Sequence, residues 1–350
     1  MIFRDELKKK VAALFLNTEQ KSISHQIADE RMVMHYWSKE LKEICHTPFQ
    51  HHVITNDNSK QAPFYFYIMP SSALGNASSM TALRKQFIDS LCQEKSIDPE
   101  TQNTHELYSA CVIDHLYFVD ISNRFVFYVI NDFNQTKDIN IAYRVSPFQY
   151  LFQLLMHGLN KQMTHSAAIA NDDYGILLTG ASGAGKTTTT LSALQHGYHY
   201  IGEDYTVLEK KDGQLFAHSI YNTVKMTEKT YQRIADFQEQ RFISLPQRGK
   251  NAYFISEHNK FKIKLSAPIK AICSLSIATA KEPVLQQQTP LQAIKSLAFS
   301  TIENNPIFAN QTLKKFHSFL ENVALYHLTL GSDAKLNMQS INRVFLNHAA

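Results

Sequence analysis

The stretch Gly175-Ile-Leu-Leu-Thr-Gly180-Ala-Ser-Gly-Ala-Gly185-Lys186-Thr187 decides the fold of the chain around it. Residues 180–187 match the pattern G-x-x-x-x-G-K-[ST] at every fixed position. The apolar run before them is typical of a buried strand, and the threonine-rich run after them can begin a helix. A strand, a glycine-rich loop and a helix in this order predict an α/β domain whose sheet carries the loop.

The residue types of this loop predict that it binds the phosphates of a nucleotide. Its glycines allow backbone N–H groups to turn inward around an anion, and the start of the helix adds partial positive charge. We expect Lys186 to reach the β- and γ-phosphates of ATP and the Thr187 hydroxyl to ligate Mg²⁺. The predicted phosphate-binding residues are Gly180, Ala181, Ser182, Gly183, Ala184, Gly185, Lys186, Thr187 and Thr188.

An adjacent acidic pair, Glu203 and Asp204, follows the loop closely. Glu203 comes 17 positions after Lys186, which leaves room for one short helix and one turn. We therefore expect the pair at the end of the strand that directly follows the loop helix. Two carboxylates beside a magnesium nucleotide can hold the metal and accept a proton from an attacking hydroxyl.

These segments resemble the HPr kinase/phosphorylase superfamily, which shares its nucleotide-binding core with phosphoenolpyruvate carboxykinases. The similarity rests on His165-Ser-Ala-Ala-Ile, on residues 175–187 and on Gly202-Glu203-Asp204. It is specific over residues 165–210, looser over 220–345 and absent from residues 1–105. The resemblance implies a mixed-sheet P-loop kinase core.

The resemblance also implies roles for individual residues. His165 would lie near the transferred phosphate, Glu203 would be the general base and Asp204 would be associated with the metal. The family usually has Asp at the position of Glu203. Because of this difference, a protein that binds ATP without transferring its phosphate is an open alternative. The Gly-Arg-containing C-terminal signature of the true HPr kinase/phosphorylase is missing, so the reverse phosphorolysis is not expected.

Basic residues after the core motif are candidates for contacts with phosphate or with an acidic substrate. Lys225 ends a strand-like pattern, and Arg248 and Lys250 lie in a turn-like stretch after Pro246. We include Lys225 and Arg248 in the predicted nucleotide site, with Arg248 neutralising charge on the γ-phosphate.

The sequence divides into an N-terminal accessory region, residues 1–105, and a nucleotide-binding domain, residues 106–350. We expect the accessory region to be helical, with residues 1–45 mostly helix and another helix over 81–96. Such a region could recognise a substrate or mediate assembly, and the resemblance makes a homo-oligomer an expectation.

Composition excludes several classes of protein. The net charge is only +4, which does not favour nucleic acid as a partner, and the four cysteines form no Cys-x-x-Cys pair. The N-terminus is charged where a signal peptide needs an apolar core, and no run of about 18 apolar residues occurs. We therefore expect a cytoplasmic protein with no membrane span.

Together these patterns predict ATP-dependent transfer of the γ-phosphate to a hydroxyl. A protein serine and a small metabolite are both open as the acceptor. Three other functions stay open: a regulatory or scaffolding protein that binds nucleotide without transfer, a phosphotransferase that uses pyrophosphate, and an ATPase. The short spacing between Lys186 and Glu203 counts against the ATPase.

Overall fold

The computed structural model describes residues 2–16, 21–55, 61–74, 107–111, 115–130, 141, 143–232, 234, 242–304 and 308–348. The chain forms two compact units, Met1–Leu159 and Asn160–Ala350. Each unit combines helices with a mixed sheet, so the expected α/β class is confirmed. Among the described helices, none is both long and apolar enough to cross a membrane.

The first unit is built on a six-stranded mixed sheet of order β1-β2-β3-β6-β5-β4. Its helices are α1 (Ile2–Leu16), α2 (Lys39–His46) and α3 (Gln149–Gly158). Its strands are β1 (Lys21–Ile27), β2 (Glu30–Tyr36), β3 (Phe64–Pro70), β4 (Leu107–Cys111), β5 (His115–Asp120) and β6 (Phe125–Ile130).

The prediction that residues 1–45 are mostly helical is wrong. Strands β1 and β2 pair as an antiparallel hairpin through Ala28 and Asp29, whose φ angles of 49° and 62° are both positive. Two central residues with positive φ are what a two-residue hairpin turn requires. Burial alternates along β2 with the period of two that a strand imposes. The predicted helix over 81–96 lies outside the described residues.

The predicted boundary between residues 105 and 106 falls inside the first unit. Strand β6 pairs in parallel with β3 along residues 65–70, and β4 and β5 extend the same sheet. Strands β4, β5 and β6 therefore complete the N-terminal sheet rather than begin the second unit. The sequence alone could not show which sheet these strands join, because pairing depends on residues far apart in the chain.

The second unit contains the glycine-rich loop. Its helices are α4 (Lys186–Gln195), α5 (Glu228–Tyr231), α6 (Pro290–Asn304), α7 (Ala309–Phe319) and α8 (Ala334–Leu346). Its strands are β7 (Gln162–Thr164), β8 (Ala167–Ala170), β9 (Gly175–Thr179), β10 (His199–Gly202), β11 (Thr206–Lys211), β12 (Gln214–His218), β13 (Thr223–Thr227), β14 (Ile243–Leu245), β15 (Lys250–Phe254), β16 (Ser266–Ile277), β17 (Val284–Gln287) and β18 (Ala324–Leu330).

Three parallel strands, β9, β16 and β18, form the centre of the main sheet. Antiparallel strands flank them, with β8 and β10 beyond β9 and with β17 beyond β18. The end of β9, the start of β8 and the end of β10 meet at one edge of this sheet. Residues that follow β9 and β10 and residues that precede β8 are therefore neighbours in space.

Both faces of the main sheet are buried, which explains why its strands are apolar without alternation. On one face, side chains of β9 and β16 pack with α4 and α8 through Leu178, Cys273, Ala193 and Ile341. On the other face, different residues of the same strands pack with α6 and α7.

A separate three-stranded sheet, of order β13-β15-β14, packs against the loop helix. Leu191 and Leu194 of α4 share an apolar cluster with Val224 and Met226 of β13 and with Tyr253 of β15. The small sheet therefore holds β13 close to the glycine-rich loop.

The central strand offers a test of this packing. Ile272 is fully buried in the cluster under α6, whereas Ile277 at the end of the same strand is 62% exposed. We expect Ile272→Ala to lower the free energy of unfolding by about 2–5 kcal/mol. Ile277→Ala should change it by no more than about 0.5 kcal/mol. Equal losses in denaturant titrations of the two variants would contradict this arrangement.

Candidate active site

The glycine-rich loop connects β9 directly to α4, so the strand and the helix that the sequence predicts on its two sides are both present. Gly185 lies at the N-cap of α4 with φ of 102°, a conformation that favours glycine. A Cβ atom at this position would also collide with the Leu330 side chain. The backbone at the start of α4 is thus fixed by packing against the main sheet.

Lys186 folds back across the loop. Its ammonium donates hydrogen bonds to the carbonyl oxygens of Gly180, at 2.7 Å, and Ala181, at 3.1 Å. Burial lowers the pKa of this ammonium, while the nearby charges of Asp204 and Glu203 act in the opposite direction. The structure places the lysine inside the loop, where an incoming phosphate can replace the carbonyl oxygens.

Glu203 lies directly against the helix start. The Thr187 hydroxyl donates a hydrogen bond to Glu203 Oε1, and the backbone N–H of Lys225 donates to Oε2 at 3.4 Å. Glu203 is only 2% exposed. Burial raises the pKa of its carboxyl to about 8, the charge of Asp204 adds to this effect, and the Thr187 hydrogen bond opposes it. Glu203 therefore holds a proton near neutral pH while it touches the expected metal ligand.

Asp204 makes different contacts from its neighbour. Its carboxylate lies 2.9 Å from Lys225 Nζ and 3.6 Å from His165 Nε2. Burial opposes the ionisation of Asp204, but the charge of Lys225 and the contact with His165 outweigh it and hold its pKa well below the usual range. With φ of 65°, Asp204 also has a left-handed backbone, which is uncommon outside glycine and clusters at functional sites.

The turn that carries the acidic pair is tightly packed. A Cβ atom on Gly202 would come within 2.7 Å of the Thr206 side chain and 2.8 Å of the Tyr205 carbonyl oxygen. The Thr206 hydroxyl in turn bonds to the hydroxyls of Thr164, at 3.1 Å, and Ser166, at 2.5 Å. These hydroxyls tie the turn after β10 to the segment that carries His165.

His165 comes between β7 and β8, at the same edge of the sheet as the loop. Its backbone N–H donates to the Thr301 hydroxyl of α6 at 3.1 Å, which fixes the backbone beside Asp204. Its buried Nδ1 atom has no hydrogen-bond partner within the part of the chain that the structure describes. Because Nε2 faces Asp204, the imidazole is oriented by the carboxylate.

The small sheet contributes two lysines to the site. In the β13–β15 pair, Lys225 lies opposite Ala252 and Thr227 lies opposite Lys250, which puts Lys225 and Lys250 on one face. The charge of Lys250 lowers the pKa of both Glu203 and Lys186, so it also acts on this site. Arg248 is exposed in the turn before β15, and no ion pair joins it to a carboxylate among the described residues.

The structure thus places six predicted residues next to one another at the loop: Lys186, Thr187, Glu203, Asp204, His165 and Lys225. Their action as one functional site stays a prediction. It adds the Thr301 hydroxyl behind His165, which the sequence analysis missed. No local signal marks Thr301, because it lies in the interior of an ordinary helix.

The oxygen donors at the helix start suit a magnesium ion. The Thr187 hydroxyl and the carboxylates of Glu203 and Asp204 are hard ligands of the type that Mg²⁺ takes, usually together with water and substrate phosphates. The lysines and the loop N–H groups suit phosphate. Chemically, the arrangement can hold a polyphosphate with its metal next to a carboxylate–histidine pair.

No family model and no curated protein matches the chain. One matching solved structure is the HPr(Ser) kinase/phosphatase from Coxiella burnetii, at 11% sequence identity. The match covers 54% of this chain and 99% of that chain, with a TM-score of 0.30. This is a weak, fold-level likeness, and a score this low carries no argument about function.

The contacts of Glu203 predict a specific dependence of stability on pH. The pKa of the Glu203 carboxyl is about 8 in the folded chain, whereas the ordinary pKa of a glutamate side chain is 4.5. Between about pH 4.5 and about pH 8, the folded state therefore binds more protons than the unfolded state. The contribution of Glu203 to the free energy of unfolding falls as the pH rises through this range. Glu203→Gln cannot ionise and should lose less stability between about pH 5 and about pH 8.

Denaturant titrations at the two pH values measure this difference. The exposed Glu257→Gln, which removes an acidic side chain far from the loop in sequence, is the control. It should keep the pH dependence of the parent chain. Identical pH dependences in the parent and Glu203→Gln would contradict the protonated state of Glu203.

Proposed function

We propose that this protein is a kinase that transfers the γ-phosphate of ATP to a hydroxyl. The observation that carries this proposal is the contact of the loop helix with the acidic pair: Thr187 bonds Glu203, and Asp204 pairs with Lys225 and His165. A phosphate-binding loop alone predicts only nucleotide binding. The carboxylates beside it supply what transfer to a hydroxyl needs in addition.

The loop residues bind the nucleotide. Backbone N–H groups from Gly180 to Thr187 surround the phosphates, and Thr188, the third residue of α4, contacts the α-phosphate. Lys186 exchanges its two carbonyl partners for β- and γ-phosphate oxygens. The ammonium then neutralises charge that builds up during transfer.

The contacts support separate roles for the two acids. Glu203, in contact with Thr187, would hold Mg²⁺ together with the Thr187 hydroxyl. The metal would neutralise charge on the β- and γ-phosphates. Asp204 remains ionised beside His165, so this pair would orient the acceptor hydroxyl and take up its proton. The general-base role that the resemblance implies for Glu203 is the alternative, and its pKa near neutrality suits that role as well.

The basic residues of the small sheet complete the proposed site. Lys225 and Lys250 lie on one face of the β13–β15 pair, and Lys225 already reaches Asp204. Exposed Arg248 is the residue in the adjacent turn that could close over the γ-phosphate. Positive charge on this side of the loop would stabilise the negative charge that builds up on the γ-phosphate during transfer.

Nucleotide binding depends on the buried lysine of the loop. We expect Lys186→Ala to weaken the binding of Mg–ATP by at least about tenfold, because one charge-assisted hydrogen bond to phosphate is lost. Isothermal titration of the purified protein measures this loss. Lys270→Ala, an exposed lysine on β16, is the matched control and should bind Mg–ATP like the parent chain.

Competition experiments separate ATP from the alternative substrate. If pyrophosphate displaces ATP and is itself bound more tightly than ADP, the site uses pyrophosphate instead. Binding of Mg–ATP with equal affinity by the parent and Lys186→Ala would contradict the proposed role of the loop.

Transfer depends on Asp204. We expect Asp204→Asn to bind Mg–ATP but to transfer label from γ-labelled ATP at least about 100-fold more slowly. The reason is that the variant has no carboxylate at this position to take up the proton of the acceptor hydroxyl. Asparagine tolerates the left-handed backbone that this position needs. Asp212→Asn is a matched control, because Asp212 is exposed and also left-handed, with φ of 52°.

Cell lysate separated into protein and metabolite fractions provides the acceptors for this assay. Label that appears with the parent chain and with Asp212→Asn, but not with Asp204→Asn, supports the kinase. Label that appears equally with all three contradicts the role of Asp204. ATP binding without transfer to either fraction favours a regulatory nucleotide-binding protein.

A further inference from the structure

A polar cleft of about 380 Å³ lies beside the first two residues of the loop, Gly180 and Ala181. Lys186 Nζ bonds the carbonyl oxygens of both residues, so the cleft adjoins the γ-phosphate end of the expected nucleotide. The rest of the lining is mostly polar and includes one ammonium group: Ser274, Leu275, Gln286, Gln288, Gln292, Lys295, Ser296 and His327.

The floor of this cleft is a polar row that crosses four neighbouring strands. Thr179 of β9 pairs with Ser274 of β16, Ser274 pairs with His327 of β18, and His327 pairs with Gln286 of β17. Side chains of paired residues lie on the same face of a sheet. Just two residues earlier in β9 and β16, the corresponding positions are buried apolar core under α6.

Hydrogen bonds preorganise part of this lining. The Thr179 hydroxyl bonds to the hydroxyls of Ser296, at 2.7 Å, and Ser274, at 3.2 Å. The Gln288 amide donates to the Ser274 hydroxyl at 3.0 Å. Within the described chain the Gln286 side chain has no hydrogen bond of its own, so its amide can both donate to and accept from a ligand.

The geometry points to this cleft as the binding site of the phosphate acceptor, a small polyhydroxylated molecule of the sugar or polyol class. The inference rests on the proposed function and deepens it by choosing between a metabolite and a protein serine. The amide, hydroxyl and imidazole groups of the lining can donate hydrogen bonds to ligand hydroxyls or accept them, and the Lys295 ammonium can donate to hydroxyl oxygens. Among the described residues of the lining none is Phe, Tyr or Trp, so it offers no aromatic surface for a nucleobase.

Size and position agree with this class of ligand. At roughly 30 Å³ for each water molecule, the cleft corresponds to about a dozen waters, which is about the number of non-hydrogen atoms in a hexose. Helix α6 lines the cleft with Ser296 and contacts His165 through Thr301, five residues later. Five helical residues span about 7.5 Å, a distance that a sugar-sized molecule can bridge.

Binding of defined polyols tests the cleft independently of transfer. The parent chain, loaded with Mg²⁺ and a non-hydrolysable ATP analogue, is titrated with D-glucose, D-ribose, myo-inositol and glycerol, and binding is followed by saturation-transfer NMR. We expect at least one of these polyols to bind. Gln286→Leu should weaken that binding by about tenfold, since it removes a hydrogen-bonding group, and should leave affinity for the nucleotide analogue unchanged.

Gln287→Leu is the matched control, because Gln287 is the next residue of β17 and points to the opposite face. It should bind the polyol like the parent chain. Ser296→Phe, which fills the cleft, should abolish polyol binding and spare the nucleotide.

The outcomes distinguish this inference from the proposed function. Binding of none of the four polyols, or binding that survives both Gln286→Leu and Ser296→Phe, overturns the acceptor cleft. Label transferred to a protein serine equally by the parent and Ser296→Phe also overturns it, while the kinase proposal stands. Failure of the parent chain to bind nucleotide overturns the kinase proposal, and the polyols are then titrated without nucleotide to test the cleft alone.

Discussion

The ion pair between Lys225 and Asp204 is the interaction on which the site depends. The two groups are 2.9 Å apart and both side chains are mostly shielded from water. A buried charge is costly unless it is paired, so removing either partner leaves the other desolvated and destabilised. The pair joins the small β13–β15 sheet to the turn after β10.

Lys186, Lys225 and the two acids each have a partner within the protein. Lys186 is held by two carbonyl oxygens, Lys225 by Asp204, and Glu203 takes up a proton because burial and the Asp204 charge disfavour its ionised form. Mg–ATP would bring both negative phosphates and a cation to this region. The phosphates have a lysine ready to exchange partners, and the cation would favour the ionised form of Glu203.

The main sheet provides two flanks to the glycine-rich loop. On the β8–β10 side are His165 and the acidic pair, and on the β16–β18 side is the polar cleft. Helix α6 contacts both, through Ser296 in the cleft and Thr301 at His165. A shift of α6 would therefore move the cleft lining and the His165 backbone together.

The sequence by itself determined the strand–loop–helix segment over 175–195 and the position of the acidic pair after the next strand, because both depend on local pattern and spacing. It did not reveal the N-terminal sheet, since β3 and β6 pair across more than fifty residues. Only the tertiary structure decided that Glu203 faces Thr187 while Asp204 faces Lys225, and that Ser274, His327 and Gln286 form one polar row. The backbone conformation of a turn and the register between distant strands set these contacts, and neither is encoded in the spacing of residues along the chain.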